Sequence, residues 1–419
     1  MRIVINSVEI LDLHSPFHGA IKNVLIKDGL IDAISDEMLD GEEIIDGKGM
    51  VLSVGFMDMR ASFRDPGFEF KEDIATGSLG AAYGGFTEVA LLPNTQPQVQ
   101  NKDIIAYLKM RSAEHLVQIY PMANLTIDAK GEEMTEMLDL HHAGAIAFTD
   151  GNKPVWHTGV MVKALQYLQP INGLLINHAE EQTLTKYGQM NEGYISTYLG
   201  LKGIPKLAEE LMIARDIELL RYAGGKIHFS RVSSPKSLEL IKAGRKAGLS
   251  ITCDVAVHQL VFTDKDLTSF DTHLKVNPPL RSKDTVNVLW KALADGVIDT
   301  IVTDHSPQDE ESKKLEFDQA AFGMLGLETA FAALNTIGKL ELAKLIAKFT
   351  TAPREILQVV QPQIVLGAKA NLTLFDPNLS WKYESTMIKS KSKNTPFVGR
   401  TFKGRVKAVF NKGKHQVCY

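Results

Sequence analysis

Polar residues able to do chemistry recur in this chain at one kind of place, directly after a short apolar run. GFMDMR ends at Arg60, TEVALLP runs into Asn94 and VQIYPMANL holds Asn124. GAIAFTD ends at Asp150, GLLINHAE carries His178 and KIHFSRV carries Arg231. LSITCDVAV contains Asp254 with His258 close behind, and DTIVTDHSP contains Asp304. Imidazoles and carboxylates delivered by separate strands, with one position left open for water, are what metal-assisted hydrolysis requires. His178 and Asp304 suit that role, with Asp150 as a third candidate ligand. Arg60, Ser62 and Arg231 do not: a guanidinium has no lone pair for a metal, and a neutral hydroxyl is a poor replacement for imidazole.

Other residues suit recognition. Arg64, in FRDPG, is placed to clamp a planar carboxylate with two parallel hydrogen bonds. Asn94 and Asn277 each offer a donor and an acceptor to an amide or imide edge, or equally to their own turns. His258 and His305 fall near the expected mouth. Strand alternation in KIHFSRV puts Ile227, Phe229 and Arg231 on one face and His228 on the other, which makes His228 back-facing and structural. His141 and His142 read as surface residues on a helix. His14, His18, His115, His157, His273 and His415 show no partner pattern.

The elements that must position these groups are eight strand-like runs, most followed by helical patterns such as GVMVKALQYLQ, AEELMIARDIELLRYA and SPKSLELIKAGRKAG. Eight alternating units predict a (β/α)8 TIM barrel, whose strand ends converge on the C-terminal mouth. Both ends of the chain instead read as short Val- and Ile-rich strands punctuated by Asp-Gly turns. The expectation is a small β-sandwich-like domain from residues 1–53 and 363–419, around a barrel over 54–362.

Composition narrows the class. A hydrophobic fraction of 44%, 23% charged residues and a formal net charge of -4 fit a globular protein with no bias toward nucleic acid. Cys253 and Cys418, the two cysteines, form no ligand pattern and no disulfide framework. The N-terminal stretch lacks a secretory core, and no run approaches the roughly 18 apolar residues of a membrane span. A cytoplasmic location is expected.

At this point a family resemblance is legible. The segments GFMDM…FRDPGFEFKEDI, AAYGGFTEVALLPNTQP, AIAFTDGNKPV, MNEGYISTYLGL, IPKLAEELMIARDIELL, VNPPLR, TDHSP, ANLTLFDP and SKNTPF run in order over almost the whole chain. The chain resembles dihydroorotases of the long bacterial type, in the cyclic amidohydrolase superfamily, more than hydantoinases or allantoinases. The resemblance implies a metal-dependent hydrolase barrel. It also implies ligands from a His-x-His pair, a turn aspartate, two later histidines and a final aspartate that doubles as general base. Those positions fall here on Arg60 and Ser62, on Asp150 followed by Gly151, on His178 and Arg231, and on Asp304. The second histidine of the family's last motif is Gln308. Arg64, Asn94 and Asn277 match the positions that hold the carboxylate and ring amide of dihydroorotate.

Two readings follow from this mixture. One is a non-catalytic homologue without a metal, retaining affinity for an orotate-like anion and serving as a structural or regulatory partner of aspartate carbamoyltransferase. The other is an active dihydroorotase with a reduced zinc site. The resemblance also implies a homodimer. In either case a carboxylate left without its cation is costly to bury. At least one of Arg60 and Arg231 is therefore expected to form a salt bridge with Asp304 or Asp150.

Overall fold

The structure, a computed structural model, describes residues 2–418. Seven of the eight expected barrel strands form: Phe56–Ala61, Phe86–Leu91, Gln118–Pro121, Leu175–Asn177, Lys226–Phe229, Ser250–Ala256 and Thr300–Val302. They pair in parallel within two sheets, one of the first three strands and one of the last four. The run expected as the fourth strand makes only isolated bridges, Ala123 to Phe148 and Phe148 to Leu175. It nevertheless fills the gap between the sheets. Ile146 N–H donates to Pro121 O at 3.1 Å, and Phe148 N–H donates to Leu174 O at 3.0 Å. The helix before it, Met137–Ala143, ends on Gly144 at φ 118°, which leaves only a few extended residues before the turn at Asp150. The ring closes where Ser62 N–H donates to His305 O at 2.9 Å.

Side-chain alternation sorts the barrel into two layers. Val89, Leu91, Leu175, Ile227, Phe229, Val255 and Ile301 pack outward with the helices. Met57, Met59, Ala90, Leu92, Met122, Ile176 and Val302 form the inner cluster. The helices carry local signals that match. Pro235–Lys246 starts at Ser234, whose side chain accepts from Lys236 N–H, with proline in the first turn. Thr158–Leu168 starts at His157, whose ring nitrogen accepts from Gly159 and Val160 N–H. His157 is therefore a helix cap, a role its sequence context did not suggest.

An eight-stranded sheet lies beside the barrel. It takes Arg2–Leu11, Ile21–Lys27, Leu30–Ser35, Glu43–Asp46 and Val51–Val54 from one end of the chain. Leu372–Lys382, Thr401–Asn411 and Lys414–Val417 come from the other. Its apolar face gathers Ile3, Ile5, Val24, Leu52, Leu372 and Phe410. Among the described residues, no helix is long and apolar enough to cross a membrane.

The junction of sheet and barrel turns on one fully buried cation. Arg354 donates from Nε to Glu88 at 2.7 Å, from Nη2 to Gly55 O at 2.7 Å and from Nη1 to Thr350 O at 2.8 Å. Asn371, just before a sheet strand, donates to the same glutamate at 3.2 Å. Replacing Arg354 by leucine strands Glu88 without its cation. The expected loss is about 3–5 kcal/mol of stability, read from urea denaturation of the purified variant.

Candidate functional site

Barrel closure decides what meets what at the mouth. Because Ala61 bridges to His305, Arg60 and Asp304 stand side by side on neighbouring strand ends. Arg60 Nε donates to Asp304 Oδ1 at 2.9 Å, while its Nη2 is held by Asn152 Oδ1 at 2.6 Å and Gly151 O at 3.1 Å. From two strands back around the ring, Arg231 Nη1 reaches the two Asp304 oxygens at 3.2 and 3.3 Å and Asn277 O at 2.6 Å. The expected contact between a guanidinium and Asp304 is thus made twice. Arg60 is 2%, Arg231 4% and Asp304 7% exposed, so the three charges meet out of bulk water. Burial alone would raise the Asp304 pKa; Arg231 and then Arg60 outweigh it and hold the carboxyl below its usual range. Burial, aided by the nearby Arg231, lowers the Arg60 pKa to about 10, still far above neutrality.

Backbone geometry at the strand ends is what turns these groups inward. Arg231 and Asp304 both adopt left-handed conformations, at φ 61° and 49°, as does Arg64 at φ 61°. Such non-glycine residues cost about 1–3 kcal/mol each and persist where the surroundings over-determine them. At Arg231 the surroundings are visible. Its N–H donates to Asp254 Oδ1 at 2.5 Å, and the next turn is gripped by Glu209, which accepts from Ser233 and Ser234 N–H at 3.0 and 2.9 Å.

This break in alternation corrects the reading of His228. Its Cα partner across the sheet is Ile176, a member of the inner cluster, so His228 faces the barrel interior and not the back. It bonds Asp254 Oδ2 at 2.9 Å and Thr252 Oγ1 at 2.8 Å, beneath Arg231. Counting by twos from Ile227 fails because the strand has ended by the time Arg231 is reached.

The remaining candidate ligands do not converge. Asp150 is turned away from Asp304: Oδ1 accepts from Leu125 and Thr126 N–H at 3.1 and 2.9 Å, and Oδ2 from the Thr126 hydroxyl at 2.5 Å. It anchors a loop. His178 Nε2 lies 2.9 Å from Glu180 Oε2, and burial followed by the repulsion of Arg231 pushes its pKa down. Among the described residues, no group of three or more His, Cys, Asp or Glu side chains is arranged to hold a metal ion. The donor set does not fit the divalent ion that the resemblance implies. The two Asp304 oxygens are taken by guanidiniums, and a dication would approach two fixed positive charges. At an effective dielectric of about 20, each unit-charge repulsion at about 4 Å is on the order of 4 kcal/mol.

The three residues expected to bind substrate each make hydrogen bonds within the protein. Arg64 donates to Ser306 Oγ at 3.0 Å and Pro307 O at 3.3 Å. Asn94 Nδ2 donates to Ser62 Oγ at 2.9 Å, and Asn277 Nδ2 to Glu180 Oε2 at 2.8 Å. Glu180 is a site residue the sequence reading missed. Its place two residues after His178, on the same loop, was the available signal. His305 lies below the mouth, its Nδ1 accepting from Gly326 N–H at 3.3 Å. His258 sits among Asp304 and Arg231 with both ring nitrogens buried and unpartnered, and burial lowers its pKa to about 4.

Comparison with known proteins gives a consistent picture. The dihydro-orotase-like family model matches residues 49–237. A dihydroorotase of Pelotomaculum thermopropionicum is 41% identical over 411 residues, covering 96% of each chain. One of Citrifermentans bemidjiense is 39% identical over 100% of each. Among solved structures, the L-hydantoinase (dihydropyrimidinase) from Arthrobacter aurescens superposes with a TM-score of 0.86 at 22% identity. That match covers 99% of this chain and 96% of the hydantoinase, and it establishes a shared fold.

Asp304 supports folding only while it is ionised. Its native pKa lies below the ordinary carboxylate value of 3.8, so its contribution is full above about pH 4 and is lost as pH falls further. Asp304→Asn is expected to cost about 3–5 kcal/mol at pH 7, by leaving two buried guanidiniums without their anion. It should also flatten the acid limb below pH 4, which pH-dependent denaturation curves of the two proteins will compare.

Proposed function

The chain belongs to the dihydroorotase family, and from that premise we propose that it is a member without hydrolytic activity, serving as a structural or regulatory partner of aspartate carbamoyltransferase. The observation that carries this reading is Asp304 bridged by Arg60 and Arg231. Ring hydrolysis near neutral pH needs an activated water, and bulk water, with a pKa of about 15.7, supplies little hydroxide. Asp304 is a poor general base in this setting: two cations stabilise its ionised form, so it has little tendency to take a proton. His178, the surviving histidine among the implied ligand positions, is tied to Glu180. The proposed partner rests on the family resemblance, since non-catalytic homologues in this family assemble with that transferase. A homodimer and an orotate-like ligand belong to the same reading.

A second reading is an active dihydroorotase interconverting carbamoyl aspartate and dihydroorotate through a reduced zinc site. It is favoured by the name of the curated relatives and by their identity of 41% over 96% of the chain.

The two readings separate in one assay. Purified protein is analysed for metal and assayed for dihydroorotate hydrolysis, with and without added zinc. The non-catalytic reading expects substoichiometric metal and no turnover in either condition; stoichiometric zinc with turnover establishes the second reading instead. Co-elution with aspartate carbamoyltransferase in gel filtration with light scattering tests the partnership, and separate elution of the two at micromolar concentration rejects it.

A further inference from the structure

The junction of barrel and sheet encloses a second cavity, which shares no wall residue with the one that Arg231 and Asp304 line at the mouth. It lies between the helices Ile74–Tyr83 and Ala330–Ile337 and the strands Leu372–Lys382 and Thr401–Asn411. Its volume is about 140 Å³, and a cavity of about 150 Å³ accepts one benzene-sized ring. Tyr83, Phe331, Trp381 and Tyr383 give it aromatic walls. Two of these rings are fixed by hydrogen bonds. Trp381 Nε1 donates to Gly404 O at 2.8 Å, and the Tyr383 hydroxyl donates to Glu328 Oε2 at 3.3 Å. A ligand entering here meets walls that are already ordered, which lowers the entropic cost of binding.

Two half-buried cations face the same space without an anionic partner. Arg405 lies over the Trp381 ring at 4.9 Å, and Lys389 over the Tyr83 ring at 4.5 Å. Among the described residues, neither charged group donates a hydrogen bond or forms an ion pair. Both charges act on the buried Cys418 thiol, another wall of the cavity, so they converge on one place. The third charged wall residue is Glu328. Its oxygens accept from the Tyr383 hydroxyl and from the Lys389 and Ser390 N–H groups. Two cations thus stand against one carboxylate that is already bonded. The sign of this excess selects an anion, the aromatic walls select a ring, and the volume admits one. A guanidinium stacked on indole keeps the N–H groups of its edge for a carboxylate, which it can meet with two parallel bonds. Mostly aromatic walls with a few charged groups, at a junction of domains, are the common form of a small-molecule site.

We propose that this cavity is a binding site for a single-ring aromatic carboxylate, with Arg405 as its principal anchor and Lys389 as the second charge. The site is separate from the barrel mouth. It stands whether or not the mouth is hydrolytic, because none of its residues belongs to the Asp304 cluster.

The test is isothermal titration calorimetry of the full chain at pH 7 in low salt. The probes are benzoate, acetate (the charge without the ring), phenol (the ring without the charge) and inorganic phosphate. Benzoate is expected to bind 1:1 with a Kd below about 1 mM. Acetate and phenol should each bind at least about tenfold more weakly, a difference of about 1.4 kcal/mol, and phosphate should not bind. Arg405→Gln should weaken benzoate binding by about tenfold or more, and Lys389→Gln by about threefold or more. Arg64→Gln, at the mouth, should change it by less than about twofold. Circular dichroism establishes that each variant is folded; should Arg405→Gln fail to fold, Lys389→Gln and the four wild-type titrations still decide. No saturable benzoate binding by wild type, acetate, phenol or phosphate bound as tightly as benzoate, or unchanged affinity in folded Arg405→Gln would each overturn the proposal. So would a loss in Arg64→Gln as large as in Arg405→Gln, which would put the anion at the mouth.

Discussion

Asp304 lies between two arginines, and most of what is distinctive at the mouth of this barrel follows from that contact. Burying a lone carboxylate is expensive, and a pair of buried cations more so; together, in hydrogen-bonded geometry, they offset one another. Arg60 approaches through Nε and Arg231 through Nη1. Each guanidinium is fixed by further acceptors, Gly151 O and Asn152 for one and Asn277 O for the other. The triad sets two guanidiniums against one carboxylate and keeps a net positive charge. A divalent ion admitted to the same place would have to displace two guanidiniums that cannot lose their charge near neutral pH.

The scaffold explains how two distant arginines reach one aspartate. Ring closure makes the first and eighth strand positions neighbours, and left-handed residues at Arg231 and Asp304 redirect both side chains across the mouth. Buried acids hold the Arg231 turn: Asp254, on the interior side with His228, takes the Arg231 N–H, and Glu209 takes those of Ser233 and Ser234. The barrel mouth thus presents an ion triad, and the framework beneath it is densely hydrogen-bonded.

Much of this was legible in the chain, because apolar runs of period two alternate with helical stretches and a barrel brings strand ends together wherever it forms. What escaped was conformational. The fourth run is too short between Gly144 and the Asp150 turn to pair as a strand. Alternation cannot be counted through a left-handed residue, so counting back from Arg231 puts His228 on the wrong side. Asp150 keeps the residue type of a ligand while its oxygens serve the Leu125–Thr126 backbone. The bonds of Arg64 to Ser306, Asn94 to Ser62 and Asn277 to Glu180 are likewise invisible to residue type alone. Residue type indicates which chemistry is available; only the hydrogen-bond partners show where it is spent.

The central claim is that guanidiniums hold Asp304 in the place a metal would need. It is tested most directly by a crystal structure of the unmodified protein grown in excess zinc, with anomalous data collected above and below the zinc edge. The expected result is Arg60 and Arg231 both within hydrogen-bond distance of Asp304 and no anomalous peak at the barrel mouth. A zinc peak bonded to Asp304 and His178, with the two guanidiniums turned outward, would contradict it.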